Sequence, residues 1–65
     1  MKGATHVYAI IRIDKFIDDY KNAVTVKEVV LSLEDAEKEV ERLNRINSDK
    51  DCLYFWQTTR LISNI

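Results

Sequence analysis

The chain has 65 residues, 46% of them hydrophobic, with 10 Lys and Arg against 11 Asp and Glu for a net charge of −1. This composition suits one small globular domain with a thin core. It excludes a disordered chain and a protein that holds duplex nucleic acid mainly by neutralising phosphates.

Residues 6–13, HVYAIIRI, are rich in β-branched and aromatic side chains and predict a first strand. Successive side chains in a strand point to opposite faces. Val7, Ala9, Ile11 and Ile13 therefore share one face, and His6, Tyr8, Ile10 and Arg12 share the other. Residues 14–23, DKFIDDYKNA, contain no Asn-Gly or Asp-Gly pair for a two-residue hairpin. They predict a longer protruding loop, with Asn22 in a left-handed turn position. Residues 24–31, VTVKEVVL, predict the second strand.

Ser32 opens the clearest helix signal. Asp35 stands three residues later, in the pattern of a capping box. Leu33, Ala36, Val40 and Leu43 then recur at steps of three and four, which predicts an amphipathic helix over 33–47. Acidic residues fill its first half and Arg42 and Arg45 its second, matching the helix dipole. Asn47 is the expected left-handed cap. Residues 52–61, CLYFWQTTRL, predict the third strand.

The order strand, strand, helix, strand predicts an α+β fold over one domain, 1–65. A three-stranded antiparallel sheet of order 2-1-3 carries one amphipathic helix on one face, with a right-handed crossover. Small Ala9 suggests that the helix lies over Val7, Ala9, Ile11, Ile13, Val29, Leu31, Leu53 and Phe55, although alternation alone leaves the first and third strands each open to the flipped assignment. The opposite face then presents Tyr8, Ile10, Val26, Tyr54 and Trp56. Three aromatic rings bury about 150–250 Å² each. A monomer rarely leaves more than a few hundred Å² of contiguous apolar surface open. That face is therefore expected to be an interface, first of all with further copies in a homodimer or higher homo-oligomer. A second reading makes it a platform for single-stranded nucleic acid or a nucleotide, with Tyr8, Arg12, Tyr54, Trp56 and Arg60 stacking bases and reaching phosphates. A third has the face, or the acidic and aromatic loop 14–23, grip or inhibit a protein partner.

No catalysis is expected. Asp14, Asp18 and Asp19 lack the spacing of a calcium loop. Ser32 is explained as a cap, and His6 has no nucleophile at a recognisable spacing. No metal or cofactor is expected, and the single glycine, Gly3, makes no phosphate loop. The lone Cys52 excludes an internal disulfide and suits a reducing, cytoplasmic setting. No apolar run is long enough to span a membrane. The N-terminal apolar patch has no small-residue cleavage site after it.

HVYAIIRID, then VVLSLEDAEKEVERLNRIN, then YFWQTTRL resemble small uncharacterised ββαβ proteins of bacteria and their phages. The resemblance implies the same element order and a non-enzymatic protein. It carries no activity and no site residues.

Overall fold

A computed structural model of the chain describes the backbone of residues 2–64 and the side chains of 5–62. The elements are β1 (Lys2–Asp14), a single helical turn α1 (Tyr20–Ala23), β2 (Val24–Val30), α2 (Leu33–Ile46) and β3 (Cys52–Asn64). They form an α+β fold whose open sheet has the order β2-β1-β3, with both pairings antiparallel.

β1 and β3 are longer than their apolar runs, at 13 residues each. They pair from Asp14↔Cys52 to Lys2↔Asn64. Each ladder bond supports the next, so polar residues such as Thr5 and Thr59 join the sheet despite weak individual signals. β2 pairs only with Tyr8–Ile13. The far halves of β1 and β3 therefore project as a two-stranded ribbon. Across its Cα atoms the molecule measures 45 × 27 × 12 Å, a flat slab.

The stretch after β1 is not an open loop throughout. Asp19 caps α1 by accepting from Lys21 N, and its other oxygen accepts from Asn22 Nδ2 at 2.8 Å. Asn22 is thus not in a left-handed turn, and no described non-glycine residue has positive φ. Asn47 is corrected in the same way. Its φ is −111°, and it ends α2 by donating from Nδ2 to Leu43 O at 2.8 Å. The amide side chain supplies a donor where a left-handed backbone was expected.

Ser32 does cap α2, its Oγ accepting from Asp35 N at 3.1 Å. Such a cap is worth about 1 kcal/mol over alanine. Glu34 pairs with Lys38 one turn on, at 2.9 Å. The buried stripe of α2 is Ala36 and Leu43, with Val40 beside them.

This stripe lies over Ile10, Cys52 and Tyr54, with Tyr8, Val30 and Trp56 packed at the margin. The expected face assignment is therefore reversed. Ile10 is fully buried and Tyr54 is 4% exposed, so neither is on open surface. The physical reason is the position of the small residue. Close approach comes from Ala36 on the helix, also fully buried, and not from Ala9 on the strand. The larger sheet side chains then fit beneath the helix.

Candidate interaction face

The side of the sheet away from α2 is built from rows that run across the three strands. Directly opposed residues on neighbouring strands share a face. The first row is Val24, Ile13, Leu53 and the second Val26, Ile11, Phe55. The third is Val29, Ala9, Gln57, and Val7 with Thr59 continues it toward the ribbon. No charged side chain stands in these rows. Val7 and Ala9, on the central strand, are buried. The flanks remain open: Val26 is 60% exposed, Val29 54% and Leu53 51%.

A β-bulge makes this face more apolar than regular alternation allows. The register moves from Ile10↔Glu28 to Ile11↔Val26, leaving Lys27 as the extra residue. Alternation without a bulge separates Val24 and Val26 from Val29. With the bulge, all three join one face, while Glu28 and Val30 turn to the helix. The valine spacing of two, then three, with a charged Lys27-Glu28 pair in the gap, is the sequence signal for this irregularity.

Of the five residues first assigned to an open interface, only Val26 lies on this face. Tyr8, Ile10, Tyr54 and Trp56 lie on the helix side. Tyr8 and Trp56 meet edge to face, with ring centroids 5.9 Å apart. The alternative set of Tyr8, Arg12, Tyr54, Trp56 and Arg60 lies on the helix side of β1 and β3. Tyr54 is buried, and Tyr8 and Trp56 are half-buried in mutual contact. Arg12 is held by Asp14, with Nη2 to Oδ1 at 2.9 Å, and this hydrogen bond raises the guanidinium pKa. Arg60 is exposed on the ribbon opposite His6, at the other end of the sheet from Arg12. Of this set, Tyr54 is covered and its ring is closed to stacking.

The seam between β2 and α2 holds the main electrostatic feature. Arg42 grips Glu39 with two hydrogen bonds, Nε to Oε1 at 2.6 Å and Nη2 to Oε2 at 3.0 Å. This grip, with a further hydrogen bond from Glu28, holds the Glu39 carboxyl down at about 2. Glu28 is raised, first by its hydrogen bond to Glu39 and then by burial. The two groups have opposite linkage. Glu39 contributes stability above its ordinary pKa and loses it as pH falls toward about 2. Glu28 contributes below its ordinary pKa and loses that contribution as pH rises through its raised value. Glu28→Gln keeps a donor for Glu39 and removes the like charge. Thermal melts at pH 7 are expected to show a higher Tm than the parent, with the gain shrinking toward pH 4. An equal gain at both values would place Glu28 out of contact with Glu39.

Among the described residues there is no pocket and no group of three or more His, Cys, Asp or Glu placed to hold a metal ion. No described helix is long and apolar enough to cross a membrane. The candidate face is a broad surface built from apolar side chains. No family model, curated protein or solved structure matches the chain.

Proposed function

We propose that this chain is a small non-enzymatic interaction module that acts, and self-associates, through the uncovered sheet face. The observation that carries this reading is the apolar surface from Val24–Ile13–Leu53 to Val29–Ala9, free of charge and lying on the side away from α2. Covering it would remove half-exposed valines and Leu53 from water, a favourable process of about 25 cal/mol per Å².

A second surface suits a protein partner that the module binds or inhibits. Phe16 is 80% exposed and Tyr20 77%, on the turn that carries Asp18 and Asp19. This turn lies at the Asp14 end of β1, so it stays accessible when the sheet face is covered. Aromatic anchors in a polar rim are frequent at protein interfaces. The buried, unpaired thiol of Cys52 supports a cytoplasmic setting for both activities.

Val26→Lys tests the first surface. Val26 is exposed on an edge strand, so lysine leaves the monomer fold intact, whereas a covered face would bury the charge. Sedimentation equilibrium should show an associating parent and a folded variant whose dissociation constant is at least tenfold weaker. A parent that remains monomeric at every concentration, with an indistinguishable variant, would overturn the reading.

A further inference from the structure

We propose that the free edge of β3 over Thr58–Ile62 takes an added strand from a protein partner, an extended acidic segment that lies along the ribbon. This edge is a separate surface from the open sheet face and from the aromatic turn. It deepens the partner-binding part of the reading above by naming what the partner presents.

A row of unpaired backbone groups sets the kind of occupant. In an antiparallel strand the N–H and C=O of one residue point to one side, and those of the next residue to the other. Tyr54 directs both groups away from β1, since Asn44 donates to its O at 3.0 Å and accepts from its N at 2.9 Å. The register with β1 runs without a shift from Cys52 to Asn64. Thr58, Arg60 and Ile62 therefore share the outward parity of Tyr54. β3 is an edge strand, and among the described residues nothing bonds the outward N–H and C=O of these three. Donors and acceptors repeating every second residue match the backbone of another extended chain.

The rest of the sheet edge is blunted. On β2 the bulge falls at Lys27, and bulges and lysines both oppose strand pairing. On β3 Asn44 holds Tyr54, and Gln57 Nε2 donates to Trp56 O at 3.1 Å. This protection stops where the ribbon begins.

Charge selects the sequence of the added strand. Arg60 is exposed, and no carboxylate among the described residues pairs with it. All 11 Asp and Glu of the chain lie from Asp14 to Asp51, so β3 has none and neither has the part of β1 opposite Thr58–Ile62. Opposite charges facing each other across a strand pair are favourable and like charges are not. The residue placed opposite Arg60 is therefore acidic. The same rule disfavours a second copy, because the two-fold register that uses all three outward residues sets Arg60 against Arg60. On the other face, the flanking residues of the added strand lie beside Thr59 and Leu61, which is 58% exposed. β-branched side chains suit those positions.

The probe is the blocked peptide acetyl-TVEVT-amide, titrated into the isotope-labelled chain and followed by amide NMR. The Thr58, Arg60 and Ile62 amides should shift and exchange more slowly. Two control peptides should fail at the same concentration: one with lysine for the glutamate, and one with that glutamate N-methylated, which removes a ladder donor. Arg60→Glu changes only an exposed side chain and should reverse the charge preference, taking the lysine peptide in place of the parent one. Val26→Lys should respond to the peptide as the parent does, so a loss of self-association and a loss of strand addition are read separately. An equal response to all three peptides, or none at any concentration, would overturn the proposal. Shifts confined to Ala4 and His6, or to Phe16 and Tyr20, would also overturn it, by placing the partner on β1 or on the aromatic turn. So would a duplex oligonucleotide that shifts the Arg60 amide where the peptide does not.

Discussion

Ile10→Ala should cost about 3 kcal/mol, within the 2–5 kcal/mol range for deleting a buried isoleucine side chain. Among the described residues Ile10 is the one large side chain that is fully buried, and it lies where Ala36, Leu43, Cys52 and Tyr54 converge. Alanine removes three carbons from the centre of the core beneath α2. The neighbours cannot readily refill the space, because Ala36 is too short and Tyr54 is held through its backbone by Asn44. A domain of this length has a total stability of about 3–10 kcal/mol. The loss is therefore a large share of the whole, and chemical denaturation should show a midpoint far below the parent's.

Ile11→Ala supplies the comparison. Ile11 is the next residue along β1 but faces away from α2. In a dimer closed through the sheet face, its cost should grow with protein concentration, because it weakens association. The cost of Ile10→Ala should be nearly independent of concentration. A larger loss for Ile11→Ala at high dilution would place the helix on the other face of the sheet.

That pair also marks the limit of what the residues convey. The three strands, the long helix and the Ser32 cap were legible because each rests on local chemistry: alternation, helical periodicity and a hydroxyl before an amphipathic run; the sheet order followed from their sequence along the chain, and the short turn α1 was missed. The face under the helix was not. Residues 7–11 are apolar on both sides, so alternation separates two sets without saying which is covered. A choice of parity flips every side chain at once. Ala9 and Ala36 each offered a place for close approach, and nothing short of packing volume decides between them. The bulge at Lys27 hid the open face further, since it unites valines that strict alternation divides. The strand ends beyond Thr5 and Leu61 depend on pairing across the sheet, which no local pattern contains.

Asn44 was legible only as a polar residue beside the apolar stripe, and its substitution carries the second large effect. Its side-chain amide acts as a short piece of neighbouring strand, satisfying both the N–H and the C=O of Tyr54. Both bonds are partly buried. Asn44→Ala leaves a donor and an acceptor without partners, at about 1–3 kcal/mol for each group that water cannot reach. Partial access for water reduces this, and a loss of about 2 kcal/mol is expected. The Tyr54 amide should also exchange hydrogen faster than in the parent, relative to the global opening rate. Asn44→Asp separates the two bonds. A carboxylate still accepts from Tyr54 N–H but opposes the carbonyl, so amide protection should largely survive at pH 7 while stability does not. Protonation restores a donor toward Tyr54 O. The introduced carboxyl therefore has a folded pKa above its unfolded value, and its favourable contribution is present at low pH and lost as pH rises. Asn44→Asp should accordingly approach parental stability near pH 4. If Asn44→Ala melts with the parent and Tyr54 exchange is unchanged, the backbone of Tyr54 is held by other groups.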